Sequence, residues 1–108
     1  NCRMVTPLKP TRAVPQIGQI VQILQGRDAG RLAVVIDVLD DRFVLIADGK
    51  KRTFDSPKRK NRKHLHFYAE VSGEVKRSIE ETGRVTNGKI RFALNKFREQ
   101  LDEEEKGE

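Results

Sequence analysis

The sequence predicts a mainly β protein with a C-terminal α part: five short strands forming a small barrel, then two short helices. Three observations carry this. Short β-branched and apolar runs separated by turn residues recur from Ile17 to Ala69. Past Val71 the apolar spacing changes from two to three and four. A sheet of such short strands exposes two edges unless it closes on itself.

The elements follow in order. Asn1 to Gln16 holds three of the four prolines and is expected to be a flexible arm. IGQIVQIL is the first strand, its apolar positions interrupted by Gln19 and Gln22, and Gln25 to Gly30 is a turn. LAVVIDVL is the second strand, bounded by Asp40-Asp41, and RFVLIA the third, closed by the hairpin signal Asp48-Gly49. KKRTF reads as a short fourth strand ended by Pro57. After KRKNRK, HLHFYA alternates as a half-buried fifth strand. SGEVKRSIEETG fits a helix with Ser72 as N-cap and Gly83 at its end. TNGKIRFALNKFREQL fits a second, with Thr86 as N-cap and an apolar stripe of Ile90, Ala93, Leu94, Phe97 and Leu101 expected to pack on the barrel. Asp102 to Glu108 lacks apolar residues and reads as an acidic, disordered tail. The organisation is thus an arm (1–16), a barrel (17–69), a helical appendage (70–101) and a tail (102–108).

Charge narrows the function. The net charge is +6 over 108 residues, and it is unevenly placed. Residues 1–69 carry fourteen Lys and Arg against six Asp and Glu, whereas residues 70–108 carry eight against ten. A basic first part favours a polyanionic partner bound on one face. The single cysteine, Cys2, rules out an internal disulfide and fits a reducing compartment. No stretch is long and apolar enough for a membrane span, and the start lacks the apolar region of a secretory signal, so a cytoplasmic location is expected.

Candidate contact residues fall in two places. The stretch GRDAGRLAVVIDV places Arg27 and Arg31 beside Gly26 and Gly30, at the mouth of the most β-prone run. Glycines there allow positive φ angles and a close backbone approach to a phosphate, which an arginine fork grips with two hydrogen bonds. Ordinary turn polarity with an Asp28 ion pair is the plainer alternative. Lys58, Arg59, Lys60, Arg62 and Lys63 put five positive charges in six positions, with Lys50, Lys51 and Arg52 upstream and His64 following. Charges this dense repel one another in the free protein, so a phosphate-neutralising strip is the simpler account.

Other features point less far. His64 and His66 lack an evident third partner, so no metal site is expected. Phe43 and Phe67 are assigned to the core, and Tyr68 is open to either core or base stacking. Asp40, Asp41 and Asp48 are explained by turn chemistry. No phosphate loop, nucleophile elbow or His-Glu metal helix is present, so neither catalysis nor a cofactor is expected.

IGQIVQILQGRDAGRLAVVIDVLDDRFVLIADG resembles a KOW motif, the strand–turn–strand element of several ribosomal proteins and NusG-type transcription factors. The order of this core, a basic segment and helices containing EVKRSIEETGRVTNGKIRFALNKFRE is similar to the fourteen-e class of large-subunit ribosomal proteins and to short bacterial KOW-domain RNA-binding proteins. The resemblance covers roughly Ile17 to Gln100. It implies an SH3-like five-stranded barrel whose Gly30 loop touches RNA, and a ribosome-associated function in which structured ribosomal RNA is recognised by phosphate and shape. The alternative is a protein-interaction module of the transcription or translation machinery, docking a partner through the C-terminal helix.

Overall fold

The run Leu32–Val38 is apolar at almost every position, without the alternation of a half-buried strand, and the fold explains why. In the computed structural model, which describes residues 15–106 with side chains through residue 101, this strand is covered on both faces. The elements are β1 (Gln19–Ile23), β2 (Leu32–Val38), β3 (Phe43–Ala47), β4 (Lys58–Asn61), a one-turn 3-10 helix (Arg62–His64), β5 (Leu65–Val71), α1 (Gly73–Thr82) and α2 (Asn87–Lys106). The expected arm lies, up to residue 14, outside the described residues.

All strand pairs are antiparallel, in the order β4-β3-β2-β1-β5. Register shifts between Gln19 and Val21, and between Val35 and Asp37, bend the sheet into a barrel-like curl. The ladder does not join β4 to β5; the 3-10 turn links these two outer strands covalently, where closure of the barrel was expected. Val21, Ile23, Ala33, Val35, Val44, Ile46 and Leu65 fill the inside of the curl. On the outer face, Ile20, Leu32, Val34, Ile36 and Ala47 share a second core with Val75 of α1, Val85, and Ile90, Leu94 and Phe97 of α2. The α2 stripe therefore packs on the sheet, as its spacing predicts.

Local chemistry sets the ends of the elements. Ser72 Oγ accepts from the Val75 N–H at 3.3 Å, and the Gly83 N–H closes α1 on the Ile79 carbonyl at 2.8 Å. Thr86 Oγ1 accepts from the Lys89 N–H at 3.2 Å at the start of α2. That helix continues to Lys106, past the boundary at Leu101 that the sequence suggests. Lys and Glu are good helix formers, so loss of the apolar stripe does not end a helix already nucleated. Buried Gln19 is satisfied: its Nε2 donates to the Tyr68 carbonyl at 2.8 Å and its Oε1 accepts from the Gln16 N–H at 3.0 Å.

The fourth strand is not KKRTF. Asp48 Oδ1 captures the N–H groups of Lys50 and Arg52 at 2.9 and 3.0 Å, and Asn87 Oδ1 captures that of Phe54 at 2.8 Å. These side chains take the donors a strand needs and hold residues 48–57 as a loop. Pro57 precedes β4, and the strand itself is the basic segment Lys58–Asn61, paired only with β3.

Candidate nucleic-acid interface

The loop joining β1 to β2 is a compact turn. The Ala29 N–H bonds to the Gly26 carbonyl at 3.2 Å, and the Arg31 N–H to the Asp28 carbonyl at 3.0 Å. The Gly30 N–H reaches back to the Ile23 carbonyl at 2.7 Å. Gly26 and Gly30 have φ angles of 102° and 93°, outside the range that side chains favour. The glycine requirement read from the sequence is met.

The antiparallel β3–β4 register carries the basic strand to this loop. Lys58 lies opposite Ile46 and Lys60 opposite Val44, so both lysines share the face whose apolar residues fill the curl. They stand at its mouth, where Lys60 Nζ donates to the Gln25 carbonyl at 3.0 Å. Lys58, Lys60, Arg52, Arg31 and Asp28 thereby line one depression. The Arg52 Nε is buried there with no hydrogen-bond partner. Asp28 organises the depression, bonding Lys51 Nζ at 3.1 Å and lying 4.0 Å from Arg31 Nε. The Lys51 hydrogen bond is the main reason its carboxyl sits below the usual carboxylate range.

Other predicted residues lie apart from this depression. Arg59 alternates to the opposite face of β4, where its guanidinium covers Phe43 at 4.6 Å. Phe43 is half-buried beneath that cation and belongs to neither core, a correction to its core assignment. Arg62 Nη1 donates to the Asp41 carbonyl at 3.0 Å, at the β2–β3 turn. That turn is set by Asp40 Oδ1, which accepts the Arg42 and Phe43 N–H groups, both at 2.8 Å. These two bonds lower the Asp40 pKa. Lys63 and His64 lie in the 3-10 turn, where the His64 carbonyl accepts from the Leu24 N–H at 2.9 Å and sits against the start of the loop. Arg27 is exposed on the loop. Lys50 lines a neighbouring groove with Arg31.

The aromatics divide between packing and exposure. Phe67 packs inside the curl, and Tyr68 packs outside it, 4.8 Å from Phe97 and edge-on to His66. Arg91 is a residue the sequence reading passed over. Its Nη1 donates to the Gly49 carbonyl at 2.6 Å and ties α2 to the loop that carries Lys50. With Arg98 it forms a polar helix face at i, i+7, a spacing visible in the sequence but without meaning until α2 is docked. Among the described residues no cluster of His, Cys, Asp or Glu is arranged to hold a metal, and no helix is long and apolar enough to cross a membrane.

The strand–loop–strand unit carrying Gly26, Arg27, Gly30 and Arg31 is a KOW motif, whose family profile matches residues 17–46. The chain belongs to the KOW-motif family. Within it, "Putative ribosome-binding protein YbzG" of Bacillus subtilis (strain 168) is 52% identical over 71 residues, covering 66% of this chain and 96% of that protein. The large ribosomal subunit protein eL14 of Staphylothermus marinus is 42% identical over 50 residues, covering 46% of this chain and 52% of that protein. The eL14 of Hyperthermus butylicus is 32% identical over 76 residues, 63% of this chain and 78% of its own length.

Proposed function

We propose that the protein binds structured RNA of the ribosome, using cationic side chains and backbone shape without covalent chemistry. The observation that carries this reading is the meeting of loop and strip: the Lys60–Gln25 bond draws Lys58, Lys60 and Arg52 beside Arg31. Kinship with a protein named for ribosome binding and with large-subunit proteins supports the ribosome as the setting. Lys58, Lys60, Arg31 and Arg27 displace counterions from the phosphate backbone, while Gly26 and Gly30 let the loop approach it closely. Arg52 adds its charge to the wall of the same depression. Lys50, Lys51 and Lys63 add positive charge beside the loop, while Arg59 and Arg62 carry it to the other face of β4 and to the β2–β3 turn. The setting is cytoplasmic, with the ribosome as partner.

The test is binding to deproteinised ribosomal RNA across a salt series. With four to six phosphates neutralised, log K against log[salt] has a slope of about −3 to −5. Arg27, Lys58 and Lys63 make no structural hydrogen bond through their side chains among the described residues, so replacing all three by Gln isolates charge from fold. This variant is expected to bind at least about tenfold more weakly at low salt. Unchanged affinity refutes the proposal.

A further inference from the structure

We infer that the RNA path does not stop at the loop but continues across it onto α2, where a second phosphate site lies between the sheet and the helix. The inference rests on the RNA-binding reading and extends it to residues of the C-terminal helix.

Arg31 borders two depressions. On one side it faces Asp28, Arg52, Lys58 and Lys60. On the other it lines a groove of about 140 Å³ with Lys50, Asp48, Arg91, Asn95 and Arg98, floored by Leu32 and Leu94. A single ordered water needs only about 10–15 Å³, so the groove has room for a larger polar group. Four cations face this space against one lining carboxylate. Asp48 Oδ1 is already occupied by the Lys50 and Arg52 N–H groups. Asp28, the other nearby acid, bonds Lys51 and stands 4.0 Å from Arg31.

Among the described residues neither helix arginine is paired with an acid. Arg91 Nη1 donates to the Gly49 carbonyl at 2.6 Å, and Arg98 Nη1 to Asn95 Oδ1 at 2.8 Å. Both acceptors are uncharged, and a guanidinium has five donors in all, so each retains donors for an anion. Holding like charges around one groove is unfavourable in the free protein and becomes favourable when a phosphate enters. A bidentate arginine grip on phosphate is the chemistry such a groove supplies. Because Arg31 belongs to both depressions, one strand passing over the loop meets cations on either side of it.

The test compares three variants of the full chain on deproteinised ribosomal RNA. Lys50→Gln with Arg98→Gln empties the groove of two cations while leaving the Arg91–Gly49 tie in place. Arg77→Gln with Lys96→Gln removes the same charge from elsewhere on the helices. Arg27→Gln, Lys58→Gln and Lys63→Gln probe the loop and strip. The groove variant is expected to flatten the salt slope by about 1–2 and bind at least about fivefold more weakly, while the Arg77/Lys96 variant matches the wild type. Equal losses in the groove and Arg77/Lys96 variants, or no loss in the groove variant, overturn the inference even if the loop-and-strip variant is impaired. Stabilisation by millimolar inorganic phosphate that the groove variant abolishes, with its RNA slope unchanged, also overturns it by assigning the groove to a free anion. A wild type that fails to bind RNA defeats the RNA-binding reading itself, and the inference with it.

Discussion

Lys60 Nζ donates to the backbone carbonyl of Gln25 at 3.0 Å, across 35 positions of sequence. The bond is exposed, so its removal costs at most about 1 kcal/mol of stability. Its main consequence is local, because it ties the Lys60 side chain to the start of the loop. Lys60→Met is expected to leave the thermal midpoint within a few degrees of wild type. Amide exchange at Gly30 and Arg31 is expected to quicken, and RNA affinity to fall further than in Lys58→Met, which loses the same charge without that tie.

Asp28 supplies the pH-dependent element. Its folded pKa lies below the ordinary value of 3.8, chiefly through the Lys51 hydrogen bond. A depressed folded value means its contribution to stability is present above about 3.8 and is lost as pH falls through the lowered value. A carboxyl titration followed by NMR is expected to give a midpoint below 3.8 in the wild type, moving up toward 3.8 in Lys51→Met. A midpoint that ignores the substitution removes Lys51 as the cause.

Two glycines with positive φ are expected to respond differently to alanine. At Gly30, φ is 93° and a Cβ meets nothing within 4 Å, so the cost is backbone strain of about 1–2 kcal/mol. At Gly49, φ is 81° and a Cβ falls 2.6 Å from the Asn87 carbonyl oxygen and 2.8 Å from Arg91 Cγ. Overpacking there adds about 1–3 kcal/mol and pushes the start of α2 off the loop. Thermal denaturation is the measurement, with Gly49→Ala expected to melt well below Gly30→Ala.

Leu94 is 2% exposed in the core shared by sheet and helices. Leu94→Ala is expected to cost about 2–5 kcal/mol in chemical denaturation. Phe92→Ala, only two positions away but 59% exposed, is expected to cost little by comparison. Similar losses at both positions contradict the packing of α2 on the sheet through Leu94.

Much of this molecule is legible in its sequence, and the exceptions share a physical cause. β1, β2, β3 and β5 announce themselves because each places apolar side chains in a core, and both helices carry an apolar stripe and a capping hydroxyl. Strand β4 is silent because Lys-Arg-Lys-Asn has no apolar residue; it is an outer strand, where lysine is at home. KKRTF is misleading for the opposite reason, since Phe54 looks strand-like while Asp48 and Asn87 take the backbone donors around it. In the candidate interface, the loop arginines and the basic run are visible as local patterns. The groove of Arg91 and Arg98 depends on α2 meeting Gly49, a contact between residues 42 positions apart that no local spacing encodes.

The double coverage of β2 sets where this chain can be cut. The matched segment at residues 17–46 contributes to two cores, and one of them is completed by Val75, Val85, Ile90, Leu94 and Phe97. A fragment ending at Val71 leaves Ile20, Val34, Ile36 and Ala47 wet on a sheet that still has two unpaired borders. Such a fragment is expected to self-associate rather than survive as a miniature of the whole. Expression trials that shorten the protein must therefore keep both helices.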